Sequence, residues 1–186
     1  MNLGMMKRRY SGEKKPDIYE GCVTLEFIET TDNNERVITA NHNNVITYLE
    51  KLIIDGEEYT PTKNYKHTFS LGKHKVGWKF KSSIIYANVM AATSSSTSSA
   101  NDKSLVTIPS HITQIVAYAM RGVPAYSPRT GVTCYAATPP SASTTSIGLW
   151  YISSSRGNYV RVPAESVDAY KAAGGWSDYA SRIIAI

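Results

Sequence analysis

Apolar residues in this 186-residue chain fall mostly at every second position, in short runs broken by polar turns. Val23, Leu25 and Phe27 alternate with Thr24, Glu26 and Ile28, the period of a β-strand. Residues 30–35 are a polar turn signal, and Arg36–Thr39 is predicted to return as the next strand. Asn41–Asn44 is a further turn, and Leu52–Ile54 is a short buried strand ended by Asp55-Gly56, a strong hairpin signal. Tyr65–Phe69 and Lys73–Phe80 complete the set. In the latter, Val76, Trp78 and Phe80 share one face, with Gly77 and Lys79 on the other. Short strands at this spacing predict a small antiparallel β-sandwich over residues 21–81, preceded by a polar, poorly ordered segment over residues 1–20.

The pattern changes near Ser82. Three hexads, Ile85–Met90, Ile115–Met120 and Ile147–Ile152, place large apolar residues five apart, and their starts stand 30 and 32 residues apart. Strand-like pieces fall between and after them, at Val106–Pro109, Val132–Cys134 and Val160–Pro163. Units that recur in this way and cannot bury a face alone must stack as a solenoid. The Ser/Thr run within residues 93–100 lies inside this pattern and is expected to be a long loop.

The closing segment has the physics of a cap. Pro163 suits a strand-to-helix junction, where its missing N–H does no harm. Val167, Tyr170 and Ala173 then recur at helical spacing and can seal the last unit. Gly174 is expected to end the helix and Trp176 to fold back as an apolar plug.

Residues 105–122 resemble most of one unit of the BspA-like leucine-rich repeat family, whose run is Leu-x-x-Ile-x-Ile-Pro, a turn, Val-x-x-Ile and an Ala-Phe ending. Val132–Pro140 and the segment from Val160 onward resemble the C-terminal end of that family. Met90 and Met120 stand where the family favours Phe, and Lys103 where its first Leu would be. The resemblance implies a mainly β chain: a small antiparallel sandwich, loosely Ig-like, over 21–81, then a short BspA-like leucine-rich repeat solenoid with a C-terminal capping helix over 82–186.

Charge and chemistry add less. The net charge of +5 is uneven: Lys7, Arg8, Arg9, Lys14 and Lys15 crowd the N-terminus, and Lys63, Lys66, Lys73, Lys75, Lys79 and Lys81 follow in an acid-free stretch. No nucleic-acid motif accompanies the charge, so a basic tail and the solvent face of an edge hairpin are the favoured readings over a nucleic-acid surface. Cys22 and Cys134 have no metal-site spacing and are expected to be buried thiols, with one bridge left open. His42, His67, His74 and His111 are scattered singly. A Cys134–His111 nucleophile pair is weighed and set aside, because Cys134 falls on a strand position where the family puts a buried thiol. Glu57 and Glu58 follow a turn, and Glu165 and Asp168 open the cap helix, where acids favour the dipole. No phosphate loop, nucleophile elbow or zinc-protease motif is present, so no catalytic, cofactor-binding or metal residue is assigned and no enzyme is expected.

Aromatics are the better candidates for contact. Tyr118, Tyr126, Tyr135, Trp150, Tyr151 and Tyr159 cluster in the repeat half, and the basic tail residues Lys7, Arg8, Arg9, Lys14 and Lys15 are a second candidate contact. The family resemblance implies adhesion or protein–protein contact. The first residues lack the apolar run of a secretory signal, and no stretch is long enough to span a membrane. The expectation is a structural or accessory virion protein of a phage infecting gut bacteria, contacting neighbouring subunits or a host surface protein or glycan. The alternative is a bacterial cell-surface adhesin. Oligomeric state stays open.

Overall fold

The computed structural model describes residues 17–93, 104–119, 131–142 and 159–186. The chain is mainly β, with one large mixed sheet, a three-stranded antiparallel sheet and a two-stranded parallel ladder. Alternation is the local cause. Val23, Leu25 and Phe27 of β1 (Val23–Glu29) and Val76, Trp78 and Phe80 of β6 (Gly72–Phe80) all point into the core.

The large sheet also contains β3 (Leu49–Ile54), β4 (Glu57–Tyr59), β9 (Leu105–Ile108), β11 (Gly131–Cys134), β12 (Val160–Val162) and β13 (Ile183–Ala185). Its order is β13-β12-β11-β9-β1-β6-β3-β4. Strands β9, β11, β12 and β13 run parallel, and β1 joins them by an antiparallel pairing to β9. One row crosses the sheet in register: Ile54, Val76, Leu25, Val106, Val132, Val160 and Ile183. None of these side chains is more than 3% exposed. This unbroken apolar row gives both halves of the chain a common core, and burial of such side chains is the main stabilising term.

The second sheet places β2 (Asn34–Thr39) between β5 (Lys66–Phe69) and β8 (Met90–Thr93). Trp78 Nε1 donates to the Ile38 carbonyl at 3.1 Å, and Phe27 meets Phe69 edge-on at 5.1 Å, so the two sheets share buried contacts. The expected strand at Arg36–Thr39 exists, but it does not return beside β1. Glu29 explains the departure. Its carboxylate accepts from the Thr30 and Thr31 amides, Asn34 Nδ2 and Arg36 Nε, and this buried knot turns the chain out of one sheet into the other.

Three further expectations change. Strand β6 lies between β1 and β3, so its lysines are not on an edge hairpin; two of the three are met by cross-strand acids, Lys75 by Glu26 and Lys79 by Glu50. Residues 17–20 belong to a formed turn rather than a loose lead-in, with the Glu20 and Cys22 amides bonded to the Asp17 and Tyr19 carbonyls. The Tyr19 ring lies against Gly77, its hydroxyl accepts from the Gly56 amide, and it donates to the Lys75 carbonyl. Finally, the turn near Asn44 continues into a short helix α1 (Asn44–Tyr48), which buries Val45.

In the second half, β7 (Ile84–Ile85) pairs in parallel with β10 (Gln114–Ile115), so the first residues of two hexads, Ile85 and Ile115, stand side by side. The third hexad lies outside the described residues. The cap begins at Pro163, passes through a 3₁₀ turn at Ala164–Ser166 and forms α2 (Val167–Ala172). Tyr170 and Trp176 are fully buried and stack edge-on at 4.9 Å. Their polar atoms anchor the cap to the turn after β11: Tyr170 to Ala136 O, Ser166 to Ala137 O and Trp176 Nε1 to Pro140 O. Helix α2 stops at Ala172, and the left-handed residue is Gly175 rather than Gly174. A 3₁₀ helix at Ser177–Arg182 then leads into β13, a strand the apolar pattern did not mark.

Candidate binding surface

Strand alternation puts a second set of side chains on the face opposite the apolar row. Register places Thr24, Thr107, Thr133, Arg161 and Ile184 in one line across this face; Thr24 and Thr133 are buried, whereas Arg161 is exposed and Ile184 partly so, which makes the cap end its accessible part. The neighbouring line contains Lys75, Glu26, Leu105 and Gly131. Tyr159, two residues before Arg161, continues it, since the Val132 amide bonds the Tyr159 carbonyl. At the cap end, the Arg182 guanidinium lies over the Tyr159 ring at 5.6 Å. The Arg161 guanidinium leans towards Gly131, with Nη1 3.4 Å from the place a Cβ would occupy there.

Of the aromatic candidates, Tyr159 belongs to this surface. Tyr118 and Tyr135 are about half exposed, Tyr118 in a left-handed turn and Tyr135 just after β11. Tyr126, Trp150 and Tyr151 lie outside the described residues, as do Lys7, Arg8, Arg9, Lys14 and Lys15. Arg161 and Arg182 were not singled out from sequence. Arg161 was legible, because its neighbours Val160 and Val162 are the apolar members of an alternating strand. Arg182 was not, since β13 was unmarked.

Several titratable groups elsewhere are held in hydrogen bonds or buried. His74 Nδ1 lies 2.7 Å from Asp55 Oδ2 and its Nε2 2.9 Å from the Ser70 carbonyl, which occupies both ring nitrogens. Burial pushes the His67 ring below its ordinary value. Burial alone would raise the Glu29 carboxyl, but the bonds from Arg36, Thr31 and Asn34 outweigh it and hold the group below its ordinary range. Cys22 and Cys134 are free, buried thiols. Burial pushes Cys22 up to about 11 and raises Cys134 against the hydrogen bond from Tyr170 at 3.2 Å. His111 is exposed and faces Gly21. Among the described residues, no three His, Cys, Asp or Glu side chains gather as a metal-holding group, and no helix is long and apolar enough to cross a membrane. Glu165 and Asp168 are exposed at the start of the cap.

No protein-family model matches this chain, and no curated protein matches its sequence.

Proposed function

We propose that this chain is a non-enzymatic protein-binding and structural module, serving as a capsid- or tail-associated virion protein of a phage that infects gut bacteria. The observation that carries the binding role is the in-register parallel ladder β9-β11-β12-β13, closed by the buried Tyr170–Trp176 cap and leaving one face with arginine and tyrosine side chains. In this reading, residues 82–186 are a short BspA-like leucine-rich repeat stack, and the pairing of Ile85 with Ile115 is a contact between successive units. Residues 21–81 are an Ig-like sandwich that closes the other end by pairing β1 with β9. Engagement of His74, Glu29, Cys22 and Cys134 in packing or hydrogen bonds supports a non-catalytic role.

Mass spectrometry of purified phage particles tests the setting. The protein is expected in the particle at a stoichiometry matching a capsid or tail position. Its absence there, together with detection on an intact bacterial surface, would establish the adhesin alternative.

A further inference from the structure

The cations of the large sheet are not treated alike. Lys75, Lys79 and Lys51 each meet an acid, Glu26, Glu50 and Glu58 respectively. Arg161, Arg182 and, at the far end on β6, Lys73 have no carboxylate within ion-pair distance among the described residues; only the two arginines lie close together. Both stand on the outer face at the cap end, on neighbouring strands or at the entry to one. Between and beside them lie the Tyr159 ring and the bare backbone of Gly131, flanked by the partly exposed Leu105 and Ile184.

We infer that this face is a docking patch for the acidic side chains of a protein partner, with Arg161 and Arg182 as the carboxylate-binding groups and Gly131 as the seat on which the Arg161 guanidinium rests. The inference rests on the binding-module reading and names the chemistry of the partner. Guanidinium groups fork a carboxylate through two parallel hydrogen bonds, which an ammonium cannot do. Tyr159 holds the Arg182 plane by cation–π contact and so reduces the ordering needed when an anion arrives. The absence of a side chain at Gly131 lets the Arg161 guanidinium settle over the backbone beside Leu105, since any larger residue would press on Nη1. A nucleic-acid backbone would need a positive stripe along the sheet, and here Lys75 and Lys79 further along are met by acids, which interrupts such a stripe. The patch is instead compact, two cations bounded by Leu105 and Ile184, which matches an acidic peptide with apolar residues between its carboxylates.

The test is fluorescence anisotropy of the full chain with a labelled eight-residue peptide alternating Glu and Leu, and with an eight-nucleotide oligo-dT. The wild type is expected to bind the peptide. The Arg161→Gln, Arg182→Gln double variant is expected to bind it at least about tenfold more weakly, the scale of losing charge-assisted hydrogen bonds. Gly131→Leu keeps both arginines but displaces the Arg161 guanidinium from its seat, and should weaken binding as well. Lys63→Gln, whose amine bonds Asn43 away from this face, should leave binding unchanged. The basic N-terminal segment is present in every protein compared, so the differences report the patch. Equal peptide affinity in wild type and double variant would overturn the inference while leaving the binding-module reading intact. Tighter arginine-dependent binding of oligo-dT would overturn it in favour of a phosphate site. No peptide binding by the wild type would also overturn it, and particle mass spectrometry then decides the broader reading separately.

Discussion

Replacing Trp176 with Ala is the sharpest test of how the ladder is closed. The indole is fully buried, meets Tyr170 edge-on at 4.9 Å, and donates to the Pro140 carbonyl at 2.9 Å. Truncation therefore removes a large packed surface and strands a buried acceptor. Large-to-small changes of this kind cost about 3–5 kcal/mol. Trp176→Phe separates the two contributions, because it keeps an aromatic ring but not the N–H, and should cost about 1–3 kcal/mol. For a chain of this size each kcal/mol shifts Tm by about 2–4 °C, so the Ala variant should melt roughly 6–20 °C lower. Thermal unfolding followed by circular dichroism measures the shift, and hydrogen exchange locates it. Amides of β12, α2 and β13 should lose protection first. A melting temperature within about 2 °C of wild type would refute the reasoning, because a fully buried indole cannot be removed from a closed stack at no cost.

Three other predictions follow from buried groups. Arg36→Met leaves the Glu29 carboxylate buried without its counter-ion and should cost about 3–5 kcal/mol in urea unfolding at pH 7. Glu29 titrates below its ordinary range in the folded chain, so its contribution is present above the ordinary carboxylate value, about 4.3, and is lost as pH falls through the depressed value. The gap between wild type and Arg36→Met should therefore narrow on acidification, and a constant gap would contradict this. Gly77→Ala places a Cβ 2.7 Å from Tyr19 Cδ1 and should cost about 1–3 kcal/mol, a penalty expected to disappear in a Tyr19→Ala background. With the Cys22 thiol pushed up to about 11, about one molecule in a thousand carries its thiolate at pH 8. A disulfide reagent should thus label the folded chain slowly and both thiols only after unfolding; rapid labelling of the native protein would count against the buried assignment.

Alternation made most strands legible. Val23, Leu25 and Phe27, or Val76, Trp78 and Phe80, need no tertiary information to mark one buried face. The Asp55-Gly56 turn was equally local. Both residues adopt positive φ, 50° and 89°, and Ile54 pairs with Glu57 across them. On the candidate surface, period two marked Arg161 as outward-facing but said nothing of its neighbours. Tyr159 was legible as an aromatic, while its partner Arg182 is placed by β13, whose three residues Ile183–Ala185 carry no alternation. The short helix α1 was hidden for a similar reason: five residues carry too little periodicity to distinguish a turn of helix from a loop.

The sequence by itself therefore determined which residues lie inside: the alternating strands, the tight Asp55-Gly56 turn and the apolar face of the cap. Those depend on backbone geometry and on side chains a few positions apart. The tertiary structure alone decided who pairs with whom. An alternating strand exposes the same backbone donors and acceptors to any partner, so nothing in β1 specifies β6 and β9 rather than β2. That choice was made by the buried Glu29–Arg36 knot, the Trp78–Ile38 bond between sheets and the shared apolar row from Ile54 to Ile183. All three join residues that only the folded chain brings together.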